Sequence, residues 1–421
     1  MNIGFDAKRA FHNQTGLGHY SRNLLWSLSD HYPGYHYYLF NPNPYPLYQL
    51  NAENMHEIGP TSFFHRLFTA AWRSSWVKKD LKKLKIGLYH GLSHEIPIGI
   101  QKTNIKSVVT IHDLIHERYP EQYSFVDVKI YRKKFRYACT HADKVIAISE
   151  QTKKDIMQFY EIPESKISVC YQSCHPDFAE PVLMEDKIRV KELYGLPDEY
   201  FLYVGSIIER KNLLNICKAL HLLRNKLDVP LVVIGEGGTY KEKVKEYIGQ
   251  NNLAGKIIFL SEKEPLGAVK FNRKFLELET SELAKLEEDY TPEAITVERI
   301  KLMERLKPYT RMEADFPAIY QMATAMIYPS FFEGFGIPVL EALWSKLPVI
   351  TSNVSCLPEA GGDGAYYVDP ASAEEIAAAM KKIYSDKTFA ASMIEKGWQH
   401  AQRFTPQKSA ESVMNVYKSL W

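Results

Sequence analysis

Two carboxylates, Glu333 and Glu341, bracket the run Gly334-Phe335-Gly336-Ile337-Pro338. The apolar residues Met326–Tyr328 before them read as a strand, and Pro338 falls in the first turn of a helix, where its missing N–H removes no needed donor. Glycines let a backbone approach a ligand closely. The unpaired amides at the start of the helix make a site for an anion such as a diphosphate. Carboxylates accept hydrogen bonds from vicinal hydroxyls, so one glutamate suits a ribose and the other a sugar. On its own the segment also describes an ordinary strand-turn-helix junction with a solvated carboxylate at each end.

Further constellations repeat the theme. Upstream, a strand ends at Gly205-Ser206, and Arg210 and Lys211 stand at the start of the next helix, where a guanidinium fork and an ammonium suit phosphate oxygens; a surface Arg-Lys pair is the plainer reading. Gly235-Glu236-Gly237-Gly238 ends another strand in the same manner. Near the N-terminus, Gly16-Leu17-Gly18 precedes a helix predicted over Ser21–Leu28. It lacks the third glycine and the later acid of a dinucleotide fingerprint, which argues against a Rossmann cofactor but leaves backbone amides to face a phosphate or an acceptor. His112 ends a buried strand, at the edge where open α/β sheets bind ligands; a structural histidine is the alternative. His112 and His116 are spaced like zinc ligands on a helix, but HExxH is missing and the pair begins at a strand end, so no metal site is expected. Residues 63–85 interleave aromatics with seven lysines and arginines against the single acid Asp80. Such a stretch suits either an anionic membrane surface or a helix that packs its aromatics on its own domain.

What must position these groups is an alternation of short apolar runs with helical patterns, starting at Met1–Phe5, Ser107–Ile111, Lys144–Ile148, Phe201–Val204, Leu231–Ile234, Ile257–Leu260, Met326–Tyr328 and Val349–Ile350. That alternation predicts α/β architecture with parallel sheets. A chain of 421 residues is large enough for two cores and hence for a cleft between them. A Pro-, Asp- and Glu-rich stretch between Pro176 and Tyr200 separates domains over 1–180 and 198–402. Residues 263–314 interrupt the alternation and read as an inserted helical hairpin.

Composition narrows the partners. The balance of 52 basic and 50 acidic residues provides no global field for nucleic acid, so a charged ligand must be met locally. Five cysteines without framework spacing suit a reducing compartment. Asp6 stands where a signal peptide would be apolar, and no apolar run reaches the roughly 18 residues of a membrane span. The expected location is the cytoplasm, including the inner face of its membrane.

Together the motifs EGFGIPVLE, VGSIIERKNL, TIHDLIHERYPE, KVIAISEQTKKDI, GLGHYSRNLL and EAGGDGAYYVDP resemble the retaining glycosyltransferases of family 4, the glycosyl transferases group 1 proteins, over nearly the whole chain except 263–314. The resemblance implies a GT-B fold, two Rossmann-like domains facing a cleft, with a C-terminal helix over 403–421 completing the first domain. It implies a GDP- or UDP-linked sugar as donor, a glycan or lipid-linked acceptor, retention of anomeric configuration, and neither cofactor nor metal. By the same likeness Glu341 would hold the ribose, Arg210 and Lys211 the diphosphate, and the amides of Gly334, Phe335 and Gly336 the distal phosphate, with Ile337 also in the donor site. Glu333 and His112 would bind the donor sugar, Gly16 and Gly18 would line the cleft, and Gly205, Ser206 and Ser261 would border the nucleotide. The wording RKN and HDL resembles mannosyltransferase relatives.

The chain also departs from the family. Ser206 stands where many relatives carry Arg, which shifts the cationic work to Arg210. Gln172-Ser173-Cys174 replaces a common Asn-Gly pair, and the insertion follows Ser261, where relatives hold the base. Two other classes fit a nucleotide-binding cleft: a nucleotide-sugar epimerase of the same architecture, which needs no acceptor, and a carbohydrate- or nucleotide-binding protein without turnover.

Overall fold

The computed structural model describes residues 1–43, 50, 52–263 and 314–421. Seven strands, β1 (Asn2–Asp6), β2 (His36–Phe40), β3 (Met55–Ile58), β4 (Leu88–Gly91), β5 (Lys106–Ile111), β6 (Lys144–Ala147) and β7 (Ile167–Val169), form one sheet in the order β3-β2-β1-β4-β5-β6-β7. Six more form a second: β8 (Phe201–Val204), β9 (Leu231–Ile234), β10 (Ile257–Phe259), β11 (Ala325–Tyr328), β12 (Val349–Ser352) and β13 (Ala365–Val368), in the order β10-β9-β8-β11-β12-β13. The pairings are parallel, including β1 with β4 and β8 with β11. Each sheet therefore reverses its winding beside its first strand. At such a switch point the connecting loops part and leave a crevice outside the carboxyl ends of the strands.

Strands buried on both faces read as continuous apolar runs, as in Leu231–Ile234, where every residue is buried. Those the apolar runs do not announce carry polar or aromatic residues with a specific partner. In β4, His90 is buried because Nδ1 meets Tyr417 Oη at 2.6 Å and Nε2 meets Thr110 Oγ1 at 2.8 Å. That contact also docks the helix Pro406–Lys418 onto the first sheet.

The helix expected over Ser21–Leu28 begins earlier and runs Gly16–His31. Asn13 accounts for the difference: its side-chain oxygen accepts from Gly18 N at 3.0 Å and Thr15 N at 2.9 Å, satisfying donors that a helix start leaves open. Residues 63–85 are not one continuous amphipathic element. They break into Phe63–Leu67, Thr69–Ala71, a π-turn Trp72–Trp76 and Lys78–Lys83. Trp72 is fully buried and donates to Asp80 Oδ2 at 2.7 Å, while Phe63, Phe64 and Leu67 stay exposed.

The stretch between Pro176 and Tyr200 holds a helix, Met184–Tyr194, tied to the second domain by Tyr194 Oη donating to Asp315 Oδ2 at 2.9 Å. The inserted segment expected over 263–314 lies, but for its ends, outside the described residues; it belongs to the connection that returns from edge strand β10 to β11 beside β8. The five cysteines are buried and unpaired. No helix among the described residues is long and apolar enough to cross a membrane.

Candidate active site

The carboxyl ends of β8 and β9 come together because neither carries a side chain there. A Cβ on Gly235 would stand 1.9 Å from the carbonyl oxygen of Gly205. After Gly205 and the exposed Ser206, a turn over Glu209–Lys211 leads to Asn212, whose amide donates to Pro329 O at 2.9 Å and Pro370 O at 2.6 Å. This staples the turn to the end of β11, and Phe331 N donates to Arg210 O at 2.8 Å beside it. Arg210 and Lys211 are thereby delivered to the loop that carries Glu333.

Glu333 is 8 % exposed and densely partnered. Arg210 Nη1 lies 3.0 Å from Oε2 and Lys211 Nζ 3.2 Å from Oε1. Tyr328 Oη and Ser330 Oγ each donate to Oε1 at 2.9 Å. Burial alone would raise its pKa, but Lys211 and Arg210 outweigh it and bring the carboxyl down to about 2. Burial lowers the Lys211 pKa, opposed by Glu333, and Nζ also lies 4.9 Å from the centre of the Tyr328 ring. Arg210 further donates to Phe332 O. Two cations thus sit fixed in a low-dielectric wall, their charge partly offset by the Glu333 carboxylate between them.

Beyond Glu333 the chain turns through Gly334-Phe335-Gly336, Gly336 at φ +109, into the helix Ile337–Trp344. The first intrahelical bonds run from Val339 and Leu340 to Gly336 O, so the Ile337 amide precedes them at the positive end of the helix. One turn on, Glu341 accepts from Tyr320 Oη at 2.7 Å. Ser261 reaches the same strand ends through Oγ, which donates to Gly235 O at 3.2 Å.

The first domain supplies the opposite wall. His112, just past β5, is 4 % exposed and donates Nε2–H to Leu92 O at 2.9 Å. Burial, only partly offset by the bond to Leu92, brings its pKa down to about 4, so the ring is neutral near pH 7. Tyr20 packs edge-on to it at 4.6 Å, which sets the Gly16–His31 helix against this end of the sheet. Gly18 has a steric task, since a Cβ there would meet Asn13 O at 1.8 Å, whereas Gly16 has open space around it.

The two walls touch at this point. A Cβ on Gly334 would lie 2.2 Å from His112 O. Gly334 O accepts from Ser149 Oγ at 2.7 Å. Glu359 Oε2 accepts from Glu150 N at 2.7 Å and Oε1 from Gln151 N at 3.1 Å, so a side chain of the second domain caps a helix of the first.

Of the residues singled out in the sequence, Glu333, Arg210 and Lys211 cluster together and the adjoining Gly334 meets His112, while Glu341, Ile337, Ser206 and Ser261 lie on the second domain. Sequence reasoning passed over Tyr328, Ser330 and Tyr320, which hold the carboxylates, and Asp113, whose charge is felt by Arg210 and whose pKa burial raises. A hydroxyl at the end of a buried strand, as in Tyr328, was the available signal, because a buried hydroxyl needs a partner.

Comparison with known proteins converges on one family. Residues 15–177 match the model "Glycosyltransferase Family 4", and residues 184–270 and 299–400 match "Glycosyl transferases group 1". The chain is 24 % identical over 351 residues to O-antigen chain mannosyltransferase B of Escherichia coli, covering 83 % of this chain and 77 % of that protein. It is 26 % identical to O-antigen chain mannosyltransferase RfbU of Salmonella typhimurium, over 69 % of this chain and 63 % of the relative, so it spans less than two thirds of the latter. Among solved structures, a glycosyltransferase from Rickettsia africae ESF-5 superposes with a TM-score of 0.68 at 17 % identity, over 99 % of this chain and 98 % of the other. Anabaena Alr3699/HepE in complex with UDP and glucose gives 0.67 at 14 %, over 100 % of both. With both domains matched in chain order and two parallel sheets facing each other across the Gly334–His112 contact, the chain belongs to the glycosyl transferases group 1, glycosyltransferase family 4, and has the GT-B fold.

Proposed function

We propose that the protein transfers a hexose, mannose by preference, from a GDP- or UDP-linked sugar to a glycan or lipid-linked acceptor, with retention of anomeric configuration, in the building of a cell-surface polysaccharide. The observation that carries the reading is the pairing of Arg210 and Lys211 with buried Glu333 at a switch point facing His112. As the bond from the anomeric carbon to the phosphate oxygen breaks, negative charge grows on the diphosphate. Fixed cations and helix-start amides stabilise that charge without reorganising, which is where preorganised sites gain most. The acceptor oxygen bonds to the same face of the anomeric carbon, and its proton passes to the departing phosphate. Charge stabilisation by these side chains and amides needs no metal and no cofactor.

The mannose preference is supported by the names of the Escherichia coli and Salmonella relatives, and a uridine donor by the UDP held in the Anabaena structure. A lipid-linked acceptor is supported by the surface of residues 63–85, where Phe63 and Phe64 are 75 % and 66 % exposed and the basic Lys79, Lys82, Lys83 and Lys85 are exposed as well. Apolar rings with flanking cations suit an anionic bilayer, so we place the enzyme at the inner face of the cytoplasmic membrane. Equal liposome binding by a variant with the lysines of 78–85 neutralised would remove that contact from the proposal.

The decisive test is a panel of nucleotide sugars scored by thermal shift, since a donor that binds the native state raises Tm. Donor turnover is then followed with and without acceptor. Turnover that needs an acceptor supports a transferase; isomerisation of donor alone would instead indicate an epimerase, and binding without turnover a carrier.

A further inference from the structure

The loop after β4 holds two polar side chains that the reading above leaves unused. Ser93 and His94 are 5 % and 8 % exposed, and Ser93 Oγ and His94 Nδ1 are buried with no hydrogen-bonding partner among the described residues. Buried polar atoms are nearly always paired, so two adjacent orphans beside a catalytic cleft call for a reason. The loop wraps His112. Leu92 O takes its Nε2–H, His94 N donates to Thr110 O at 2.9 Å, and the His94 ring lies edge-on to His112 at 5.1 Å and parallel to Phe135 at 4.1 Å. His94 also holds the left-handed backbone, φ +63, which His, Asn and Asp adopt more readily than other side chains.

The tautomers follow from these partners. A carbonyl only accepts, so His112 carries its proton on Nε2 and keeps a lone pair at Nδ1. A buried N–H without an acceptor is the rarer kind of orphan, so His94 keeps Nδ1 unprotonated and carries its proton on Nε2. With His112 Nε2–H spent on Leu92 O, the two rings together offer one donor, His94 Nε2–H, and two acceptors, the Nδ1 atoms. A sugar hydroxyl both donates and accepts.

We propose that Ser93 and His94 form a subsite for a hydroxyl group of the acceptor sugar, on the side of His112 away from Gly334. The side follows from the sheet order. Gly334 of the donor-binding domain touches His112 O and Ser149, which follows β6, whereas His94 follows β4, on the other flank of β5. His112 thus divides a donor flank from an acceptor flank. The proposal rests on the transferase reading above.

Its test compares the wild-type chain with His94→Phe, His94→Asn and Ser93→Ala, using GDP-mannose and UDP-glucose as donors and a set of octyl glycosides, octyl α-mannoside among them, as acceptors. Phenylalanine keeps the stacking on Phe135 and loses the N–H; asparagine tolerates the left-handed backbone and restores a donor. The expected result is an acceptor KM raised about 10-fold in His94→Phe and largely recovered in His94→Asn, with nucleoside-diphosphate affinity by calorimetry unchanged. If His94→Phe does not fold, His94→Asn with Ser93→Ala carries the comparison, with acceptor KM raised in Ser93→Ala. An unchanged acceptor KM, or an equal loss of nucleoside-diphosphate affinity, overturns the subsite. A wild-type chain that transfers to none of these acceptors overturns the transferase reading itself, and the subsite with it.

Discussion

The carbonyl oxygen of His112 occupies the space that a side chain on Gly334 would need, 2.2 Å from an ideal Cβ. Both atoms of that encounter are backbone or rigidly attached to it, so neither can rotate away. Gly334→Ala should therefore separate the walls of the cleft rather than repack a core. Displacing a reacting group by about 1 Å costs on the order of 100-fold in rate. We expect kcat to fall by about that factor while Tm moves by only a few degrees; steady-state kinetics beside a melting curve checks both, and an unchanged kcat would show that this contact is absent during turnover.

Glu333→Gln tests the charge pairing. The carboxylate offsets part of the charge of Arg210 and Lys211 inside the wall, and removing one partner of a buried pair costs about 3–5 kcal/mol. The same change leaves two unneutralised cations, which raises their attraction for a diphosphate. The expected signature is a lower Tm, a larger thermal shift on adding nucleoside diphosphate, and weakened transfer. The acid dependence has a definite sign. A carboxyl lowered from 4.5 to about 2 contributes stability that is present above about pH 4.5 and lost as pH falls towards 2, so the difference between wild type and variant should narrow across that window.

The architecture was legible where burial and chemistry agreed. Leu231–Ile234 and Phe201–Tyr203 are buried on both faces and show it as apolar runs, and the glycines at 205 and 235 mark the strand ends. β4 was silent because its His90 is buried through bonds to Thr110 and Tyr417, the latter more than 300 positions away, which no local window contains. The same holds for the site. Spacing drew Glu333 and Glu341 together on the page, but only the fold reveals that Glu333 is held by Tyr328 and Ser330 while Glu341 pairs with Tyr320. The break in residues 63–85 was hidden for a related reason: Trp72 and Arg73 turn inward, Arg73 to clasp Asp6 at 2.9 Å, while their neighbours stay outside.

Glu359 offers a second handle on closure. Its two oxygens accept the Glu150 and Gln151 amides at the start of the helix Glu150–Tyr160, the geometry in which an anion stabilises a helix N-terminus. Loss of such a cap costs about 1 kcal/mol. In Glu359→Ala those two amides should exchange with solvent several-fold faster, and the acceptor KM should rise as the closed arrangement becomes less populated. Hydrogen exchange read at residues 150–151 decides the matter, since unchanged protection there would mean that the contact does not hold the domains together.

The buried histidines of the first domain should govern its acid stability. His90 is brought down to about 3 by burial and then by the nearby His112, and His112 to about 4 by burial. In the unfolded chain each titrates near its ordinary value of 6.5. Between pH 6.5 and about 4 the unfolded chain therefore binds protons that the folded chain refuses, and stability falls as the pH drops. Each such group contributes a slope of up to about 1.4 kcal/mol per pH unit. His90→Gln removes one of them. Its absolute stability will fall through lost contacts with Tyr417, but the quantity that matters is the slope of unfolding free energy between pH 6 and 4.5, taken from urea titrations. That slope should become shallower by about one proton's worth; an identical slope would mean that His90 takes up its proton in the native state as well.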